Sequence, residues 1–171
     1  MNRIIIRRFR KGDEPAVSKV ICTTLAAGNR ESYSAAFIEK LIRSYSPAQI
    51  AVIAEEAHVY VACDGEIPIG CGGIADFWGS TEESHLTSIF VLPEYQGKGV
   101  GRQIVEALEA DEYFLRAWRI EAGASPTTVS FYQKMGYTFR NGITDVNKYG
   151  IIRMEKRKEK DKSESASEDT A

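Results

Sequence analysis

The chain has 171 residues and a formal net charge of −2, with ordinary shares of apolar and charged side chains. That length suits one domain with a sizeable core rather than two, and the charge balance speaks against nucleic acid or an anionic membrane as partner. No apolar run approaches the length of a membrane span, and Ile4-Ile5-Ile6 is too short for a secretory leader before charge returns at Arg7, so a cytoplasmic location is expected.

In chain order, Ile4 to Arg10 reads as a strand, and its arginines suit a sheet edge. Lys11-Gly12 breaks it. Asp13 is a good N-cap and Pro15 suits a first helical turn. Val17, Val20, Ile21, Thr24 and Leu25 follow at helical spacing, and Gly28-Asn29 ends the helix. A second helix covers about Ser34 to Tyr45, with Phe37, Ile38, Leu41, Ile42 and Tyr45 inward. Ser46-Pro47 opens a third, reaching about Glu56. His58 to Cys63 is a strand, Asp64-Gly65 a two-residue turn and Ile67 to Ile74 the returning strand. Gly70, Gly72 and Gly73 within it point to a bulge, or to the close approach of another backbone or a ligand. Asp76 to Ser84 is a polar loop. Cys22, Cys63 and Cys71 are odd in number and lack metal spacing. That turn places Cys63 opposite Glu66, out of reach of Cys71, so all three read as reduced structural thiols.

The stretch from Leu86 to Asp111 organises the rest. Leu86 to Leu92 is a strand apolar enough to be covered on both faces, and Pro93 stops it. Gln96-Gly97-Lys98-Gly99-Val100-Gly101 follows, then a helix with Val100, Ile104 and Leu108 on one side. Alternating glycines let successive N–H groups converge, the helix start adds its positive dipole, and Lys98 and Arg102 add charge. A diphosphate fits such a turn. A dinucleotide fingerprint fails because Arg102 stands where its third glycine belongs, and a P-loop fails because Gly99 follows Lys98. Beyond this helix, Arg119 to Ala122 is a short strand. Ser125-Pro126 starts another helix carrying Val129, Tyr132 and Met135 and ended by Gly136. Tyr137 to Phe139 and Val146 to Met154 are strands, with an Asn141-Gly142 turn between. The domain is read as residues 1–156, and residues 157–171 as a charged, disordered tail. The fold class is α/β (α+β): one mixed, mostly antiparallel twisted sheet with helices on both faces.

Gln-x-x-Gly-x-Gly at a strand-to-helix junction, preceded by Val91-Leu92-Pro93-Glu94-Tyr95, closely resembles the pyrophosphate loop of the GNAT superfamily of acyl-CoA-dependent N-acyltransferases. Ala124 to Tyr137 resembles the second motif of that family. Ser125 stands where many members carry Asn, and Thr128 where many carry Ala; a Ser-Pro version is familiar in bacterial members. Ile151 to Lys156 looks like the closing strand. The resemblance covers about Ile4 to Lys156.

The resemblance implies acetyl-CoA as cosubstrate and direct attack by a primary amine within a ternary complex. Gln96, Gly97, Lys98, Gly99, Val100, Gly101 and Arg102 would hold the diphosphate, and Ser125 stands at a cofactor position. Ile89, Phe90 and Val91 would pair with the pantetheine arm, with the Val91 N–H polarising the thioester carbonyl. One such donor is worth about 3 kcal/mol. Tyr132 matches the tyrosine that protonates the leaving thiol. The base candidates are His85 and Glu121, then Glu83, Glu82 and Asp76. The Asp76–Glu83 loop, with Phe77 and Trp78, suits a cationic small-molecule or peptide amine as acceptor. No metal is implied, and a homodimer stays open. The other reading carried is a non-catalytic acyl-CoA-binding sensor or partner module, which would need neither Tyr132 nor a base.

Overall fold

The computed structural model describes residues 3–28, 31 and 33–159. Its seven strands form one sheet: β1 (Ile4–Arg8), β2 (His58–Asp64), β3 (Ile67–Phe77), β4 (Ser80–Val91), β5 (Arg119–Ala124), β6 (Thr138–Phe139) and β7 (Ile152–Arg157). The order across the sheet is β1-β2-β3-β4-β5-β7-β6. All neighbours are antiparallel except β4 and β5. The helices are α1 (Glu14–Ala27), α2 (Ala35–Arg43), α3 (Pro47–Glu56), α4 (Val100–Glu109), α5 (Glu112–Arg116) and α6 (Val129–Lys134). Among the described residues, no helix is long and apolar enough to cross a membrane.

The sheet is covered on both faces, as expected. On one face α4 and α5 set Val100, Ile104, Leu108 and Phe114 against Ile69, Ile74, Leu86, Ile120 and Met154. On the other, α1, α2 and α3 set Val17, Ile21, Leu25, Ile38 and Ile50 against Val61, Cys63 and Cys71. Burying one such aliphatic side chain contributes about 1.5–3 kcal/mol, so the two clusters are the main source of stability. Ser34 and Ser46 cap α2 and α3 through their hydroxyls. Asp13 does not cap α1 this way. Its carboxylate takes the Arg7 guanidinium and the Arg10 N–H, tying β1 to α1, and the Arg7 hydrogen bond pulls its pKa down against the cost of burial.

Several boundaries depart from the sequence reading. The β2–β3 turn is Gly65-Glu66, one residue late, because Asp64 still pairs with Ile67. Cys63 then lies opposite Pro68, and the three cysteines are unbridged. The polar loop at Asp76–Ser84 is the tip of a β3–β4 hairpin, turning at Trp78 (φ 44°) and Gly79 (φ 79°). Helix α6 begins at Val129, since Ser125 and Thr128 close a turn on each other through main chain and hydroxyls. The last strand starts at Ile152, because Asn147 folds residues 147–151 into a turn. Asn29 and most of the expected tail lie outside the described residues.

The β3 glycines mark the bulge that the sequence suggested, and one of them admits a side chain rather than a backbone or a ligand. Between Cys71 and Gly73 the β4 partner jumps from Phe90 to Thr87, a bulge at which Ser88 adopts φ 53°. A Cβ on Gly72 would stand 2.6 Å from Ile104 Cγ2, so the missing side chain lets α4 press onto the sheet.

Candidate active site

β4 and β5 run together only briefly. Glu83, Ser84 and His85 pair with Arg119, Ile120 and Glu121; beyond that the strands separate, and β4 continues to Val91 paired with β3 only. Past the bulge, Leu92 N–H donates to Ile69 O on β3. By strand alternation the main-chain groups of Val91 then turn away from β3, toward the gap. The Val91 carbonyl accepts from Gln96 Nε2 (2.9 Å) and Thr24 Oγ1 (3.3 Å). Its N–H is left facing the space between the strands. Of the expected trio Ile89, Phe90 and Val91, Val91 therefore offers its N–H to the open edge, whereas Phe90 turns toward Cys71 on β3, and Gln96 spends its side chain on the strand end.

The glycine turn leads from that edge into α4. Gly97 and Gly99 have φ of 72° and 81°, and a Cβ on either would meet nothing within 4 Å. Among the described residues, the N–H groups from Gly97 to Arg102 have no acceptor; the first α4 bond is Gln103 N–H to Gly99 O. These are the orphan donors of a helix start, extended backward by the turn, and they form a cradle for an anion. Lys98 leans over the Tyr95 ring, and Arg102 is exposed. Gly101 leaves room for Phe131, which would stand 3.2 Å from a Cβ there and so joins α6 to this corner.

His85 lies at the inner end of the gap. Its Nδ1 is 3.1 Å from the main-chain oxygen of Asp76, so Nδ1 carries the proton and Nε2 keeps its lone pair. Burial holds its pKa below the ordinary histidine value, outweighing the raising effect of that hydrogen bond and of Glu121. The ring stacks on Trp78, with centroids 5.7 Å apart, and helps line a cleft of about 330 Å³ with Ile53, Glu56, Ala57, Ala75, Asp76 and Thr87.

Three of the other base candidates are engaged elsewhere. Glu121 is buried, and its carboxylate contacts Arg119 (2.8 Å), Arg140 (3.5 Å) and Arg153. Arg119 also binds Glu83 (2.7 Å) and Glu155 (3.2 Å). Asp76 pairs with Arg116, while Glu82 is exposed at the hairpin.

Tyr132 is buried among Phe131 and Tyr137, and burial pushes its phenol pKa well above the usual range. Among the described residues its hydroxyl has no hydrogen-bond partner, yet no buried side-chain oxygen is left unpaired. The oxygen therefore opens to solvent. Ser125 is held in its own turn by Thr127 and Thr128 hydroxyls, just after β5.

Thr24 and Glu56 were not singled out in the sequence. Thr24 reads as an α1 core position, and Glu56 as one of many exposed acids. Only the packing of α1 on the end of β4, and of α3 beside the hairpin, brings them to the site.

Comparison with known proteins adds the following. Residues 55–139 match the family model described as Acetyltransferase (GNAT) domain. No curated protein sequence matches the chain. The fold is similar to PaiA N-acetyltransferase from Thermoplasma acidophilum, solved in complex with coenzyme A (TM-score 0.77, 19% identity, 91% of this chain and 99% of that one). It is also similar to a GCN5-related N-acetyltransferase from Rhodopseudomonas palustris (TM-score 0.73, 19% identity, 92% and 97%) and to an N-acetyltransferase from Staphylococcus aureus Mu50 (TM-score 0.67, 14% identity, 91% and 99%).

Proposed function

The chain carries a GNAT acetyltransferase domain, and on that premise we propose that it moves an acetyl group from acetyl-CoA directly to a primary amine held in the same complex. The observation that carries this reading is the open edge of β4 beyond His85, ending in a turn of unpaired N–H groups. An extended arm with a diphosphate at one end matches both features.

Acetyl-CoA supplies the activated acyl group: a carbon–nitrogen bond forms, the carbon–sulfur bond breaks, and CoA leaves as the thiol. The chain's residues manage position and protons. The turn from Gly97 to Arg102 holds the diphosphate. The gap-facing N–H of Val91 stabilises charge on the carbonyl oxygen, a contribution of about 3 kcal/mol. His85 Nε2 takes a proton from the ammonium of the acceptor, whose ordinary pKa near 10.4 keeps it protonated at neutral pH. Tyr132, which keeps its proton at any working pH, meets the departing sulfur as a donor and is reprotonated by one of the two protons left on the acceptor nitrogen, the other staying on the amide. The net release is one proton per acetamide formed from an ammonium. Glu121 orders the neighbouring arginines rather than acting as the base.

The test is thiol release from acetyl-CoA over a panel of amines. Turnover that saturates in both substrates supports the reading. Tight CoA binding with no amine accepted would overturn it in favour of the acyl-CoA-binding module.

A further inference from the structure

Trp78 is the most exposed large apolar residue of the described chain, at 79%. It occupies the first central position of the hairpin turn with φ 44°, where a bulky side chain is strained and Asn or Gly is favoured. The indole does not fold back into a core. It stacks on His85 with the ring planes 21° apart, and Phe77 meets it edge-on at 4.4 Å. The turn thus holds an aromatic face beside the cleft at a cost in local conformation.

Glu56, the last residue of α3, lines the same cleft. Helix C-termini favour cations, yet the last turn of α3 has no basic residue, and Glu56 has no ion pair or hydrogen bond among the described residues. The second carboxylate of the lining, Asp76, is already neutralised by Arg116. Between Glu56 and His85 the wall is apolar: Ile53, Ala57 and Ala75. The cleft therefore offers, in one cavity, a base, an apolar stem channel, an uncompensated carboxylate and an aromatic face.

We propose that the acceptor is a dicationic alkylamine. Its reactive nitrogen lies at His85, its stem lies along Ile53, Ala57 and Ala75, and its second ammonium sits between the Glu56 carboxylate and the Trp78 indole. A cation over a tryptophan face beside a free carboxylate is a matched partner for each. This inference rests on the acetyl-transfer reading and names the substrate class for that site.

The experiment compares diaminobutane and diaminopentane with butylamine and pentylamine. It measures kcat/KM with acetyl-CoA and, separately, calorimetric binding of the same amines to the CoA-loaded protein. The diamines should be preferred about tenfold, chiefly through KM. Glu56→Gln and Trp78→Asn should bring the ratio close to one and weaken diamine binding. Asn suits the turn, so the second variant should fold. Equal use of diamines and monoamines by the unaltered protein, or a ratio unmoved in both variants, overturns this inference and leaves acetyl transfer standing. Diamine binding without turnover of any amine overturns the acetyl-transfer reading and with it the diamine's role as acceptor, leaving only a diamine site; neither binding nor turnover overturns both readings and the site.

Discussion

His85 and Glu121 are the last residues paired across β4 and β5 before the strands part. Their side chains have opposite environments. Glu121 is enclosed by arginines, while His85 keeps an unencumbered Nε2 at the lip of the cleft. A base needs a free lone pair more than it needs a negative charge, and that criterion favours the histidine.

His85→Gln should lower kcat by about two to four orders of magnitude with CoA affinity kept. Glu121→Gln should act mainly on stability, by leaving three arginines without their shared carboxylate. The pH dependence has a definite sign. Burial lowers the pKa of His85 below 6.5, so the neutral base survives to lower pH than a free histidine would. The ascending limb of kcat should have its midpoint below 6.5 and vanish in His85→Gln. The same shift means that the unfolded chain binds this proton first as pH falls, so His85 also removes stability on the acid side. A limb unchanged in the variant would assign it to another group.

Gly99→Glu should abolish CoA binding measured by calorimetry. The φ of 81° disfavours a side chain, and the new carboxylate would enter the space proposed for the diphosphate. Among the described residues nothing stands within 4 Å of a Cβ there, so circular dichroism should still show a folded chain. Unchanged affinity would remove the turn from the mechanism.

Tyr132→Phe deletes a hydroxyl that holds no partner among the described residues and leaves the ring packing intact. Turnover should fall about a hundredfold, and stability and CoA affinity should hardly move. Equal turnover would reduce Tyr132 to a core residue.

Arg119→Ala should destabilise the fold by about 3–5 kcal/mol, read from the urea midpoint, because three carboxylates lose their common cation in a buried setting. A loss under about 1 kcal/mol would mean that the network behaves like a surface pair.

Local chemistry made the central element readable from residues alone. Strand, proline, glycine turn and helix follow from β-branched runs, a missing donor and φ freedom, all of which act within a few neighbours. The cap at Ser46 and the edge position of β1 are of the same kind. The hairpin at Trp78-Gly79 was missed because its left-handed φ values contradict the preference of tryptophan, and only pairing between β3 and β4 enforces them. The late start of α6 was missed because Ser125 and Thr128 satisfy each other, an alternative to capping that no spacing rule separates.

The amino-acid order by itself determined the anion cradle, the position of Tyr132 on a helix and the two-sided burial of the sheet, since each depends on backbone preferences or apolar periodicity. Tertiary structure alone enclosed Glu121 among arginines, left His85 Nε2 free, and brought Glu56 and Trp78 to one cleft. A carboxylate and an imidazole look equally able in a sequence. What separates them is which lone pair the surrounding arginines and carbonyls leave unused, and those neighbours lie far away along the chain.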